Sequence, residues 1–186
     1  MTDKSATAEQ LIREHVIWSC GAGLVPVPIV DFVAVTAIQL DLIRQLSTLY
    51  GVNYEEGQGK VWIGALTGGA IARIGASAIK AIPGIGSLIG GLSMSIASGA
   101  STYGVGKVIA RHFAAGGTMG NLDVDEARSR YEKEYEEGKE VAKKASENKG
   151  AKDVFEKLEK LGELKQKGIV TEAEFEKKKA DLLAQL

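Results

Sequence analysis

The spacing of apolar residues over the first part of the chain predicts a series of helices. Apolar side chains return every three or four positions from Ala8 to Ala22, and the same period runs from Ile29 to Tyr50. Between these segments, Pro26 and Pro28 favour an extended or turn backbone, because proline has a fixed φ and no amide donor. Gly51 is expected to close the second helix in the left-handed conformation.

A third helix is predicted from about Glu55 or Gly59 to Ala81, before a break at Pro83 and Gly84. The stretch 81–106 that follows has 26 residues, seven of them glycine, and no charge. Small residues at four-residue spacing let two helix backbones approach closely, so the two segments are predicted to pack as a Gly-rich helical hairpin. The predicted packing positions are Gly64, Gly68, Ala72, Gly86, Gly90, Gly91 and Gly99.

The sequence is compatible with two environments for this hairpin, a lipid bilayer and the core of a soluble protein. A helix of 26 residues would span roughly 39 Å, more than the about 30 Å of a bilayer hydrocarbon core, yet Gly, Ser and Thr dilute its apolar content. In a soluble protein the same hairpin would be buried among amphipathic helices. Trp18, Trp62 and Tyr103 are interfacial anchors in the first case and core residues in the second.

Charge divides the chain near residue 120. Residues 1–120 hold 8 Lys/Arg and 7 Asp/Glu, whereas residues 121–186 hold 15 and 17. The balanced total argues against a nucleic-acid scaffold. Cys20 is the single cysteine, which excludes an internal disulfide and fits a reducing compartment. Because the N-terminus lacks a signal-peptide pattern, we expect a cytoplasmic protein, associated with the inner face of the cell membrane.

Two charged residues interrupt the apolar segments. Asp31 follows the Pro-x-Pro turn, where a carboxylate caps a helix start. Arg73 lies within the third helix, and an unpaired charge in an apolar bundle is costly. We therefore expect Arg73 to pair with Asp31, Asp41 or a lipid phosphate.

The sequence lacks key residues of the phosphate-binding and metal-binding motifs that parts of it resemble. Gly106 and Lys107 resemble the end of a phosphate-binding loop, but Ser101 and Val108 replace its first glycine and its magnesium-binding hydroxyl. With two histidines and one cysteine, no metal cluster is predicted and no cofactor is expected. A hydrolase that pairs Cys20 with a histidine is a remote third possibility, because a buried cysteine usually acts as a small hydrophobic residue.

The block from His15 to Gly117 resembles the GTPase-associated domain-of-unknown-function family 697. The Pro-x-Pro turn before Asp31 and the run AIQLDLIRQLSTLYG at 37–51 carry the resemblance. It implies an all-helical fold, an association with small GTPases and a frequent link to membranes. Because no GTPase domain is present in the sequence, a separate GTPase is the implied partner.

Residues 154–183 resemble the short C-terminal domain family (SHOCT), a two-helix module whose members are thought to mediate oligomerisation or tethering. Gly168 is expected to stop its first helix, Thr171 and Glu174 to form a capping box, and Val170 and Phe175 a hydrophobic staple. About thirty residues rarely bury two apolar stripes alone, so this module should dock on a partner. The predicted oligomerisation residues are Phe155, Leu158, Leu161, Leu164, Phe175, Leu182 and Leu183.

The sequence therefore predicts an all-α protein in four parts. These are a flexible N-terminus (1–7), a Gly-rich helical domain (8–120), a charged helical linker or stalk exposed to solvent (121–150) and a helical hairpin (151–186). The preferred function is a non-enzymatic, membrane-associated scaffold that forms homo-oligomers. The alternative is a soluble binding module that holds a lipid or another apolar ligand in the Gly-lined hairpin.

Overall fold

The fold is described by a computed structural model whose backbone covers residues 4–22, 28–78, 86–147 and 149–183. Side chains at 28–32, 69–78, 86–93 and at several positions from 149 onward lie outside this description. The helices are α1 (Lys4–Ala22), α2 (Pro28–Tyr50), α3 (Glu56–Ala78), α4 (Gly86–Ala114), α5 (Val124–Glu147), α6 (Lys149–Gln166) and α7 (Glu172–Leu183). The described residues contain no strand, which confirms the all-α prediction.

Local sequence signals set several helix ends, and those at Gly51 and Gly168 lie where predicted. Gly51, Gly116 and Gly168 have φ angles of 77°, 86° and 69°, the left-handed region that glycine tolerates best. Asp123 starts α5 by accepting hydrogen bonds from the amides of residues 125 and 126, each 3.1 Å long. The predicted break at Pro83 and Gly84 lies outside the described residues.

The capping box at the start of α7 is confirmed. The Thr171 hydroxyl donates to Glu174 Oε2 at 2.7 Å, and the Thr171 amide reaches the same oxygen at 3.0 Å. These hydrogen bonds, first that of the hydroxyl, lower the pKa of Glu174 because they favour its charged form. The turn between α6 and α7 is therefore fixed by local chemistry.

Helix α4 is the centre of the bundle, with α1, α2 and α5 packed around it. A Cβ built on Gly99 would lie 2.4 Å from Cys20 Sγ of α1 and 2.9 Å from the Cβ of Ala142 of α5. A Cβ on Gly138 would lie 2.9 Å from the Ala100 carbonyl oxygen. The glycines therefore let α1, α4 and α5 approach more closely than larger residues would allow.

The aromatic residues divide between the core and the surface. Trp62 and Tyr103 are only 1% and 2% exposed, so they are core residues. Trp18 is half-buried on α1 and contacts the His15 ring, with centroids 4.7 Å apart. Of the three aromatic residues that the sequence left open, Trp18 alone reaches the surface.

Helix α5 differs from the solvent-exposed stalk that its charge predicts. Its buried residues form a stripe that packs along α4, while the many Glu and Lys side chains lie on the opposite face. The stripe consists of Ala127, Tyr131, Gly138 and Ala142. The prediction of a solvated stalk was wrong because one tyrosine and three small residues suffice to bury a helix face against a glycine-rich neighbour.

The C-terminal hairpin of α6 and α7 packs against α1 and α5 of the same chain. Val154 and Leu158 of α6 join the main core, at 5% and 0% exposure. Leu161 and Phe175 form a second cluster with Val170, which completes the predicted staple. Leu158, Leu161 and Phe175 of the apolar stripes that were expected to contact a partner are thus covered by their own chain.

Within the described residues, no helix combines the length and the apolar content that a bilayer span requires.

Candidate functional site: a buried polar network

A network of hydroxyl and amide groups joins the helices at the level of Ser101 and Thr102 in α4. Ser19 Oγ of α1 lies 2.7 Å from Thr102 Oγ1. Gln39 Nε2 of α2 donates to Ser101 Oγ at 3.1 Å and to Thr102 Oγ1 at 3.3 Å. The Tyr131 hydroxyl of α5 donates to Ser101 Oγ at 3.0 Å. Each of the helices α1, α2 and α5 thus contributes one side chain to the two hydroxyls of α4.

Four of the five network residues are almost completely removed from solvent, and Ser101 is half-buried. Ser19 and Thr102 are 0% exposed, and Gln39 and Tyr131 are each 2% exposed. Burial raises the pKa of Tyr131 to about 12, against the smaller effect of its bond to Ser101, so the phenol keeps the proton that it donates. Because an unpaired polar group in such a place costs about 1–3 kcal/mol, these contacts penalise any other register of the helices.

His15 and Asp41 connect α1 and α2 nearer the surface. His15 is 0% exposed, with Nδ1 at 2.7 Å from the Leu11 carbonyl oxygen and Nε2 at 3.2 Å from Asp41 Oδ2. Asp41 also accepts hydrogen bonds from Arg44 and Gln45. Partial burial opposes their effect, but the hydrogen bonds from Arg44, Gln45 and His15 together hold the pKa of Asp41 below its ordinary value.

A second polar contact ties α1, α4 and α5 together. Tyr103 donates its hydroxyl proton to Glu137 Oε1 at 2.9 Å, and Lys107 Nζ donates to Glu9 Oε2 at 3.1 Å. Burial first, and then the bond to Glu137, raise the pKa of Tyr103. The ammonium of Lys107 lies 5.6 Å from the centroid of the Tyr103 ring, which adds a modest cation–π attraction.

Cys20 lies in surroundings that keep it protonated. Burial raises the pKa of its thiol to about 12, because the apolar interior disfavours a thiolate. The Ser95 hydroxyl donates to the Cys20 carbonyl oxygen at 2.8 Å. Both ring nitrogens of His15 contact the Leu11 carbonyl and Asp41, and Nε2 of His112, the other histidine, contacts the Thr118 carbonyl. The described contacts therefore do not pair Cys20 with a histidine.

The described part of the chain contains no group of three or more His, Cys, Asp or Glu side chains arranged to hold a metal ion.

The predicted small-residue packing positions differ from one another in their surroundings. Gly99 makes close contacts, but with α1 and α5. Gly64 and Gly68 are exposed, and no heavy atom of the described residues lies within 4 Å of a Cβ built on either one. The side-chain surroundings of the others, Ala72, Gly86, Gly90 and Gly91, lie outside the described residues. Close packing between the two arms of the Gly-rich hairpin therefore stays a prediction.

The predicted charged pair also stays a prediction. Asp31 lies in α2 and Arg73 in α3, but neither side chain belongs to the described part of the chain. Among the predicted oligomerisation residues, Leu158, Leu161 and Phe175 are buried, Leu182 is half-buried, and Leu164 is 38% exposed. The side chains of Phe155 and Leu183 lie outside the description.

Sequence reasoning missed the network that organises the bundle. Ser101 and Thr102 were treated as dilution of an apolar stretch, and Tyr131 as part of an exposed helix. Three features of the sequence indicate residues that could belong to such a network: two consecutive hydroxyl residues among glycines, a glutamine on an otherwise apolar helix face, and a tyrosine among charged residues. None of them identifies its partner, because the contacts join residues 30 to 83 positions apart.

Comparison with known proteins agrees with both resemblances. The profile of the family described as "Domain of unknown function (DUF697)" matches residues 1–139, and that of the "Short C-terminal domain" (SHOCT) matches residues 156–183. A relative from Magnetospirillum gryphiswaldense, "Magnetosome membrane protein 22", is 37% identical over 153 residues, which make up 80% of this chain and 78% of the relative. No solved structure matches. Neither family description names an enzymatic activity.

Proposed function

The chain belongs to the DUF697 family, and on that premise we propose that it is a non-enzymatic helical scaffold associated with a membrane. The observation that carries the proposal is the 37% identity to a protein named as a magnetosome membrane protein, over most of both chains. The proposed location is the cytoplasm, at the inner face of the cell membrane.

The chemistry of the core supports a structural role. The hydroxyls of Ser19, Thr102 and Tyr131 are buried and bonded to one another or to their neighbours. The thiol of Cys20 is buried, and burial disfavours its reactive form. The groups most suited to nucleophilic or acid–base chemistry therefore serve to hold the helices together.

Cell fractionation tests this proposal directly. The protein in its native cells is expected to sediment with membranes after lysis at low salt, while a cytoplasmic enzyme assayed in parallel stays in the supernatant. Recovery of the protein in the supernatant with extractable lipid would instead favour the alternative, a soluble module that holds an apolar ligand. Recovery in the supernatant without lipid would contradict both.

Self-association is the second part of the proposal. Leu158, Leu161 and Phe175 are covered within one chain. Among the described residues of the hairpin, the large apolar side chains exposed for contact with another copy are Leu164 and Ile169, at 38% and 66%. Light scattering of the purified protein is expected to give a mass above that of one chain. A Leu164→Asp, Ile169→Asp double variant should lower that mass, and a monomeric parent would contradict self-association.

A separate small GTPase is the remaining proposed partner, supported by the family's association with such proteins. Affinity capture with the full chain is expected to recover a GTPase from the native cells. Recovery should depend on whether GTP or GDP is added, and capture of no GTPase under either condition would contradict the proposal.

A further inference from the structure

The outward faces of α1 and α2 lose their charges at the same level. The helices run antiparallel, and the contact of His15 with Asp41 sets them side by side at that point. On one side of the contact, Arg13 of α1 and Arg44 of α2 have side chains 67% and 62% exposed. The outward surface is therefore charged on the side of this contact that holds the beginning of α1 and the end of α2.

On the other side of the contact, the described outward residues are uncharged, and Asp31 of α2, which also lies on this side, has a side chain outside the described residues. Ile17 and Trp18 of α1 are half-buried, Ala37 of α2 is exposed, and Val33 of α2 is 67% exposed. We call these four residues the apolar collar. No charged residue occurs from 15 to 30 or from 32 to 40 in the sequence. The collar thus ends at a boundary that crosses two neighbouring helices.

The collar lies at the end of the bundle where α4 begins. Ser95 of α4 bonds to the Cys20 carbonyl of α1, so earlier residues of α4 lie at or beyond the end of α1. From Ala81 to Gly106 the sequence has no charge. At this end α5 keeps exposed Lys143 and Lys144, next to Ala142, whose carbonyl oxygen accepts from the Cys20 thiol. Among the described residues, the uncharged surface at this end therefore lies on α1 and α2 and does not extend over α5.

We propose that the apolar collar is the surface that contacts a lipid bilayer, with the Trp18 ring at the level of the headgroups. This inference rests on the proposed membrane association. A planar interface requires the change from charged to uncharged residues to occur at one level on adjacent helices. Tryptophan is enriched at that level because its ring is apolar and its N–H is polar.

Tryptophan fluorescence tests the proposal because the chain has only two tryptophans, and Trp62 is buried in the core. The probe is a vesicle of phosphatidylethanolamine and phosphatidylglycerol, with bromine atoms on the acyl chains close to the glycerol. In Trp62→Phe, where Trp18 remains, most of the emission should be lost on binding. In Trp18→Phe, where Trp62 remains, the emission should hardly change.

The two proposals fail in different ways. A protein that floats with vesicles while Trp18 is not quenched would overturn the collar and leave membrane association intact. A protein that does not float would overturn both. If Trp62→Phe does not fold, the emission of the unmodified chain minus that of Trp18→Phe reports the same quenching.

A charge placed in the collar provides an independent measurement. Ala37→Glu is expected to reduce the fraction of protein that floats with these vesicles several-fold, because a carboxylate resists transfer to the bilayer. Thr48→Glu is the matched control, exposed on the same helix beyond the charge boundary, and should float as the parent does. Equal flotation of all three proteins would overturn the collar as the lipid-contacting surface.

Discussion

The described glycines of α4 and α5 and most of the described glycines of α3 have opposite surroundings. A Cβ on Gly99, Gly104, Gly106 or Gly138 would lie 2.9 Å or less from an atom of another helix. We call these the close-contact glycines. A Cβ on Gly57, Gly64 or Gly68 would meet no heavy atom of the described residues within 4 Å, and we call these the open glycines.

The difference shows that small-residue spacing marks a helix able to pack closely, but does not identify its partner. The close-contact glycines face side chains such as Cys20, Tyr131 and Ile12, which come from α1 and α5. The sequence directed attention to the neighbouring segment α3 instead. The consecutive helices α3 and α4 were expected to pair, whereas α4 packs mainly against α5, the next helix in the chain, and against α1.

The largest expected effect comes from removing one wall of the close-contact region. A chain truncated after Gly120 lacks α5 and therefore loses Tyr131, Gly138 and Ala142 from the core, whereas a solvent-exposed stalk at 121–150 could be removed without this loss. We expect it to show no cooperative thermal transition by circular dichroism, since the α4 surface is left exposed.

A chain truncated after Glu147 is the control for that experiment. It keeps α5 and loses only the C-terminal hairpin, so it should retain a cooperative transition at a lower temperature. A cooperative transition in the shorter protein as well would show that α5 is not part of the main core.

Single alanine substitutions sharpen the comparison between the two classes of glycine. Gly138→Ala should destabilise the protein by about 1–3 kcal/mol, as overpacking does, because its Cβ would meet the backbone oxygen of Ala100 at 2.9 Å. Gly64→Ala should be neutral or stabilise α3 by about 0.5–1 kcal/mol, since alanine is the better helix former. Urea unfolding measures both.

Gly68→Ala tests whether Gly68 of α3 makes a close helix contact, as the sequence predicts, or is exposed, as in the structure. The sequence predicted a close contact at Gly68, so a larger side chain there was expected to destabilise the protein. The structure places Gly68 on the surface. A loss of stability in Gly68→Ala as large as that in Gly138→Ala would contradict the open class.

The sequence predicted what depends on neighbours along the chain. Gly51 and Gly168 end helices because of their own backbone freedom, and Thr171 with Glu174 begins one through bonds three residues apart. The burial of Tyr131 and the partner of Gln39 were not predictable in this way. Both depend on which helices pack around α4, and local sequence patterns do not predict that arrangement.

The polar network is the next test of the close-contact region. Tyr131→Phe keeps the ring against Gly104 and removes only the hydroxyl that donates to Ser101. The expected loss is about 1 kcal/mol, the net value of one buried hydrogen bond. Thr48→Ala, which removes an exposed hydroxyl bonded within its own helix, should change the unfolding free energy much less. Equal effects would argue against a special role for the network.

The smallest effect is expected at Asp41, which lies outside the close-contact region and is partly exposed. Because the pKa of Asp41 is lowered in the folded state, its charge stabilises the fold above about pH 4 and this contribution is lost as pH falls through the folded value. Asp41→Asn should therefore cost less than about 1 kcal/mol near neutral pH, and its deficit should shrink in acid. A deficit that grows as pH falls would contradict this assignment.

Arg128 of α5 binds α3 through a main-chain oxygen and not through a side chain. Its Nε and Nη2 atoms donate to the Ala65 carbonyl oxygen of α3 at 3.2 and 3.1 Å. The acceptor belongs to the main chain, which every amino acid supplies, so this contact constrains the residue at 128 and leaves the identity of residue 65 to other demands. Two chains could therefore share this anchor while differing at 65, and a comparison of sequences that looks for paired changes would find no partner for position 128.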